Sequence, residues 1–169
     1  MKILKIILIT ILMVLTITPS MAQKKNRKKK NKITVLKLYE GPELPAEQLV
    51  RIITVNEKKK YAYFIEVDGN DIPGNSLMNG AKGILLLPGE HKIQLRFVSK
   101  GQIAIPIESF DPFSFEAGKE YLVKFEYIHG KGSYPGNLEK TSIKLWIEEK
   151  GEAGVLMEKT VNGYGISIK

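Results

Sequence analysis

The side chains that most often carry chemistry are scarce in this chain of 169 residues, which has two histidines and no cysteine. His91 and His129 lie far apart, and neither belongs to a HExxH or H-x-H spacing, so the sequence offers no zinc site. Without cysteine there is no thiolate nucleophile, no disulfide and no thiol that could carry a lipid. A G-x-S-x-G motif is also absent, which argues against a serine hydrolase of that kind. We therefore interpret both histidines as structural or surface residues and expect no cofactor.

Three oxygen-bearing side chains, Asp68, Asn70 and Asp71, lie close together and form a conceivable calcium site. Their spacing does not fit an EF-hand loop, and an Asp-Gly-Asn sequence directly after a strand is typical of a hairpin turn. We interpret the segment as a turn and expect no metal site. Carboxylate pairs for glycoside hydrolysis cannot be identified from the sequence, because their separation is a three-dimensional property.

Two aromatic residues are candidates for recognition rather than catalysis. Trp146 lies between two aliphatic residues, so in a strand it points away from the face that they share. Tyr134 lies in a glycine-rich segment, residues 129–137, and a second glycine-rich loop covers residues 69–83. A ring on such a loop gives contact area for a sugar or a peptide at low entropic cost. We predict that these two loops carry any specific recognition, with Tyr134 as the main contact; the alternative is that the rings only pack or lie on the surface.

The elements that must position these residues are short strands. From Ile33 onward, runs of β-branched and aromatic residues alternate with polar ones, and turn signals such as Asp-Gly and Pro-Gly recur about every 8 to 12 residues. No run of about 12 or more residues shows a helical period. The pattern predicts one all-β domain over residues 33–169, a single antiparallel β-sandwich or a partly open barrel. Seven side chains are predicted to point into its core: Ile65, Leu86, Ile93, Leu95, Val123, Phe125 and Leu145.

Positive charge is concentrated in a short arm, residues 23–32, rather than in the domain. The whole chain carries a net charge of +8, but from Ile33 onward 17 basic residues face 18 acidic ones. The arm has no apolar side chain with which to form a core, so we expect it to be disordered and to attract lipid headgroups or polysaccharide of negative charge. The alternative is a solvated tether without a partner; nucleic acid is not expected, since the domain lacks a basic stripe. The predicted polyanion-binding residues are Lys24, Lys25, Arg27, Lys28, Lys29, Lys30 and Lys32.

Residues 1–22 have the pattern of a secretory signal peptide. Two lysines precede an apolar run, a proline follows it, and the small residues Ser20 and Ala22 predict cleavage before Gln23. The apolar run is shorter than the roughly 20 residues that a membrane-spanning helix needs. We therefore expect export to the periplasm or the extracellular space, with or without association with the envelope. The alternative is an uncleaved anchor, which the positive charge directly after the signal favours.

Four motifs together resemble a group of small bacterial envelope proteins, often lipoproteins, that in turn are similar to PEGA-type β-sandwich modules. The motifs are Leu38-Tyr39-Glu40-Gly41-Pro42, Val67-Asp68-Gly69, Leu86-Leu87-Pro88-Gly89-Glu90-His91 and Phe115-Glu116-Ala117-Gly118-Lys119-Glu120-Tyr121. The resemblance covers roughly residues 35–147 and implies an exported β-sandwich without known enzymatic activity. This chain differs in lacking a cysteine for lipidation and in carrying the basic arm.

Taken together, the patterns predict a non-enzymatic exported module of the cell envelope or the secreted space, with a binding or structural role. Its basic arm would direct it to anionic surfaces. Two alternatives belong to other classes of protein: a carbohydrate-active or other hydrolase with carboxylates on its loops, and a subunit that docks by adding a strand to an open sheet edge.

Overall fold

The computed structural model describes residues 33–99, 103–132 and 140–162, with the backbone alone for residues 103 and 104. The chain divides into two units, Met1–Lys32 and Ile33–Lys169, and every described residue belongs to the second. The sequence also predicts a short strand, Tyr164 to Ile168, which lies outside the described residues.

Strands dominate the part of the chain that the structure describes, and the all-β prediction is confirmed. One short 3-10 helix, Ala46–Gln48, follows Pro45 and turns the chain before a strand. In chain order the strands are β1 (Val35–Lys37), β2 (Val50–Thr54), β3 (Lys60–Val67), β4 (Asn70–Asp71), β5 (Gly83–Leu86), β6 (Gly89–His91), β7 (Ile93–Ser99), β8 (Ile103–Pro106), β9 (Phe113–Phe115), β10 (Glu120–Ile128), β11 (Ser142–Glu149) and β12 (Met157–Asn162).

The strands form two main sheets and a small one. The larger sheet has six strands in the order β1-β5-β2-β10-β11-β12, and the second has four in the order β4-β3-β7-β8. Strands β6 and β9 make a separate two-stranded sheet. Most pairs are antiparallel as predicted, but β1 pairs with β5 and β2 with β10 in parallel. Each parallel pair joins strands far apart in sequence, so its connection is long enough to cross from one end of the sheet to the other.

Alternation of apolar and polar residues gives each main sheet one inward face. On β11, Ile143, Leu145 and Ile147 are buried, while the residues between them are half-buried. A single cluster of buried side chains unites residues from β2, β3, β5, β7, β8, β9, β10 and β11, which is the core of a sandwich of two sheets. Five of the seven predicted core residues belong to that buried cluster: Leu86, Ile93, Leu95, Val123 and Leu145.

Two predicted core residues differ from the prediction. Ile65 is half-buried and lies outside the core cluster, because a β-bulge between Phe64 and Glu66 shifts the register of β3. The extra residue changes which positions of β3 point inward, so Phe64 before the bulge and Val67 after it both face the core. Phe125 packs against the cluster but is half-buried, since it lies further toward the end of β10.

The predicted Asp-Gly turn is confirmed. Val67 pairs with Asn70 across a two-residue connection, and both Asp68 (φ 54°) and Gly69 (φ 78°) have positive φ. Two positive φ values in succession define the turn that best matches the twist of antiparallel strands. The segment interpreted as a turn rather than a calcium loop is therefore a β3–β4 hairpin.

Candidate functional site

The outward face of the four-stranded sheet carries two adjacent tyrosines. Strand β3 directs Ala62 and Phe64 into the core, so Tyr61 and Tyr63 point the other way. Their ring centroids are 6.5 Å apart. Tyr63 nevertheless has no exposed surface, so another part of the chain must cover it.

The cover is the loop between β4 and β5, residues 72–82. The Tyr61 hydroxyl donates to the carbonyl of Met78 at 2.6 Å. The Tyr63 hydroxyl lies 2.8 Å from the carbonyls of both Ser76 and Leu77, so its one hydrogen is shared between two acceptors. These bonds hold the loop flat on the sheet.

Asn75 and Gly80 hold the same loop against strand β3. The Asn75 side chain donates to the Phe64 carbonyl at 2.8 Å and accepts from the Ala81 amide at 3.2 Å. A Cβ on Gly80 would lie 2.2 Å from Asn75 Oδ1 and 2.3 Å from Tyr63 Cδ2, which no real structure tolerates. Asn75 and Gly80 thus pack this part of the predicted recognition loop against β3.

Two cations accompany the tyrosines. Lys82 Nζ lies 4.5 Å from the centroid of the Tyr61 ring, which is cation–π geometry. Arg96 is the register partner of Tyr63 on β7, and its Nη1 lies 3.5 Å from the Tyr63 hydroxyl. We call Tyr61, Tyr63, Lys82 and Arg96 the cation–tyrosine cluster.

Neither cation of the cluster has a carboxylate within 4.0 Å among the described residues. The Nε atom of Arg96 is buried and has no hydrogen-bond partner in that part of the chain. Burial, with a smaller effect of Tyr63, raises the pKa of Tyr61 above its ordinary value of 10.0, so the phenol remains neutral and does not balance the charge of Lys82. The cluster thus presents positive charge that no described acid offsets.

His91 has a structural role in this fold, as predicted. Its Nδ1 lies 2.6 Å from the carboxylate of Asp68, and its Nε2 lies 2.9 Å from the carbonyl of Leu87. The second carboxylate oxygen of Asp68 accepts from the Lys92 amide at 2.8 Å, so both oxygens are occupied within the protein. His129 lies beside Tyr127, with 3.0 Å between Nδ1 and the hydroxyl.

No three His, Asp or Glu side chains of the described ranges come together in a way that could hold a metal ion. Within those ranges there is also no helix with the length and apolarity to cross a membrane.

Trp146 lies on the outward face of β11, opposite to Leu145 and Ile147, as its position in the sequence predicted. The other predicted recognition residue, Tyr134, lies outside the described residues. So do the seven basic residues of the arm, Lys24, Lys25, Arg27, Lys28, Lys29, Lys30 and Lys32, and the predicted signal peptide. The predictions for these binding residues therefore remain predictions.

The cation–tyrosine cluster was not identified from the sequence. The alternation in β3 placed Tyr61 and Tyr63 on one face, and the alternation in β7 placed Arg96 on a polar face. Nothing in the pattern indicated that β3 and β7 pair with Tyr63 opposite Arg96, or that Lys82 returns over Tyr61. Such contacts depend on register and loop path, which are tertiary properties.

Comparison with known proteins adds no relative: no family model, no curated protein and no solved structure matches this chain.

Proposed function

We propose that this chain is an exported, non-enzymatic binding module of the cell envelope or the secreted space, which attaches to an anionic component of the envelope. The basic arm supplies long-range attraction, and the cation–tyrosine cluster supplies a contact on the folded domain. The turn motifs that resemble those of PEGA-type modules imply an exported β-sandwich, which agrees with this proposal.

The observation that carries the proposal is the contrast between two groups of cations. On the six-stranded sheet, lysines are matched with acids: Lys144 with Glu158 at 2.6 Å and Lys150 with Glu120 at 2.8 Å. Lys82 and Arg96 have no such acid among the described residues, although both are half-buried. A half-buried charge without an opposite charge beside it costs free energy, and an anion from outside the chain would recover it.

The geometry favours an oxyanion as the group that is bound. Arginine presents several N–H donors in one plane, which suits carboxylate, sulfate and phosphate groups. The same groups occur in lipid headgroups and in acidic polysaccharides, so the two sources share the recognition chemistry. The arm would act on either source without selecting between them.

The test uses the full mature chain and two anionic surfaces. Cosedimentation with vesicles of phosphatidylglycerol and phosphatidylcholine measures lipid binding, and retention on heparin measures polysaccharide binding. The variants are one with the seven arm residues changed to Gln and one with Lys82→Gln and Arg96→Gln. We expect each variant to weaken binding at low salt, because counterion release contributes to every ionic contact.

The matched control is Lys58→Gln with Lys59→Gln, which removes two exposed charges of the same sign at a turn. If the domain binds through the cluster, the Lys82 and Arg96 variant loses more affinity than this control. Equal losses would mean that the domain responds only to net charge and would contradict the role of the cluster. Unchanged binding in the arm variant would mean that the arm is only a tether.

A further inference from the structure

The outward face of β10, β11 and β12 is a regular surface centred on the only tryptophan of the chain. Strands β10 and β11 pair over eight consecutive residue pairs and β11 and β12 over six, without a bulge. Trp146 lies between its register partners Lys124 on β10 and Glu158 on β12. Neighbouring strands lie about 4.8 Å apart, so both partners adjoin the indole.

Two ion pairs flank the indole on this face. Lys124 pairs with Glu148, and Lys144 pairs with Glu158. The indole Nε1–H donates to Glu148 at 3.3 Å, which fixes one edge of the ring. The side chains of Lys124, Lys144 and Glu158 are 37%, 40% and 52% exposed, so this face is open to solvent.

The carboxylate of Glu148 is ionised at neutral pH. The hydrogen bond from Lys124 lowers the pKa of Glu148; burial opposes this effect, and the hydrogen bond from Trp146 adds to it. Glu126, the register partner of Lys144 on β10, lies on the same outward face. Two lysines and three glutamates therefore surround the indole, and the face has no net positive charge. We call Trp146 with these five residues the tryptophan face.

Charge balance decides what this face can bind. An anion would meet three carboxylates as well as two lysines, so it gains no net attraction. An apolar segment would have to displace water from five charged groups, which costs more than one indole contact returns. A neutral sugar has hydroxyls that both donate and accept, so it can satisfy lysines and carboxylates together, while its C–H groups pack on the indole.

We propose that the tryptophan face is a binding site for a neutral oligosaccharide. This site differs from the cation–tyrosine cluster in position and in ligand charge, and it does not depend on the function proposed above. A linear neutral glycan lies along the regular surface, with one sugar ring stacked on Trp146 and its hydroxyls bonded to Glu148 and Lys124.

The single tryptophan makes the test specific, because intrinsic indole fluorescence reports on this site alone. The full mature chain is titrated with maltohexaose and with cellohexaose as neutral probes, and with oligogalacturonate as a charged probe. We expect a saturable change in fluorescence with at least one neutral probe. That binding should persist at about 0.5 M salt, where exposed charges are screened.

Two variants separate the role of the ring from general damage to the sheet. Trp146→Ala should weaken binding of the responding probe about tenfold or more, as measured by calorimetry. Trp146→Tyr keeps an aromatic ring in the strand and should retain binding within about threefold. Circular dichroism confirms that both variants fold.

Three outcomes would overturn the proposal. The first is no response to either neutral probe up to about 10 mM, where even millimolar sites are largely occupied. The second is equal affinity of the Trp146→Ala variant. The third is binding of oligogalacturonate alone that salt abolishes, since that result would define an anion site instead.

Discussion

His91 and Asp68 join two turns that are 23 residues apart, with 2.6 Å between Nδ1 and the carboxylate. The other ring nitrogen lies 2.9 Å from the Leu87 carbonyl, and that acceptor belongs to the turn before β6. The imidazole thus lies between an acceptor in the β3–β4 hairpin and an acceptor beside β6, and it connects that hairpin to the small β6–β9 sheet.

Replacing His91 by Ala should destabilise the domain by about 1 to 3 kcal/mol, because Asp68 loses a charge-assisted bond while its other oxygen remains tied to Lys92. Urea denaturation measures the change. The control is His129→Ala, at an exposed position, which should alter stability by less than about 0.5 kcal/mol. A cycle with Asp68→Asn tests the pair itself, and additive effects would contradict the coupling.

Gly80→Ala should loosen the loop that covers Tyr63. The added Cβ would lie 2.2 Å from Asn75 Oδ1 and 2.3 Å from the Tyr63 ring, so one of them has to move, at a cost of about 1 to 3 kcal/mol. Hydrogen exchange at the Ala81 amide, which donates to Asn75, is the local readout and should become faster.

The control for that prediction is Gly74→Ala in the same loop. A Cβ on Gly74 meets no atom within 4 Å, so its cost comes only from the positive φ of 76°. We expect the Ala81 amide to keep its protection in this variant. Equal loss of protection in both variants would show that the steric contact at Gly80 is not what holds the loop.

Fold class and most of the core could be predicted because period-two alternation reports directly on which face of a strand is buried. Ile93, Leu95 and Leu145 were identified in this way. The Asp68–Gly69 turn was also predictable, since its backbone angles favour those residue types. Local chemistry determines features of this kind.

Other features depend on contacts between distant segments. The bulge at Ile65 inserts one residue into β3 and reverses the face of everything after it, and no local signal marks it. The site around Arg96 and Tyr63 arises from register between β3 and β7, which a single sequence does not reveal.

Phe125 and Phe97 provide a graded test of the core. Their rings meet edge to face with centroids 5.0 Å apart, but Phe97 is fully buried and Phe125 is half-buried. Phe97→Ala should lower the free energy of unfolding by about 3 to 5 kcal/mol and Phe125→Ala by about 1.5 to 3 kcal/mol. The second loss is smaller because the Phe125 side chain buries less apolar area on folding. Denaturant unfolding of both variants measures the difference. A larger loss for Phe125 would contradict the assigned burial.

Export is tested on protein made in the native host. Cleavage after Ala22 predicts a mature chain that begins at Gln23 or at its cyclised form, since Ser20 and Ala22 suit the peptidase. Intact mass and N-terminal sequencing of the envelope and culture fractions give the answer. A chain that retains Met1 in the membrane fraction would support the uncleaved anchor instead.

The ion pair between Lys124 and Glu148 predicts how stability responds to acid. The bond from Lys124 lowers the pKa of Glu148 in the folded state, so the pair stabilises the domain fully above the pKa of an unfolded glutamate, about 4.3. That contribution is lost as the pH falls through the lower folded-state pKa. It should stay below about 1 kcal/mol, since the lysine is 37% exposed.

The measurement compares wild type with Glu148→Gln, which keeps an acceptor for the Trp146 indole but removes the charge. The stability difference between the two proteins should be largest above the pKa of an unfolded glutamate and should shrink as the pH falls through the lower folded-state pKa, because wild-type Glu148 then also becomes neutral. Glu152→Gln removes an exposed carboxylate that has no ion-pair partner among the described residues, and it serves as the matched control. A pH-independent difference for Glu148→Gln would mean that the substitution acts through packing beside the indole, and that the pair with Lys124 contributes no charge-dependent stability.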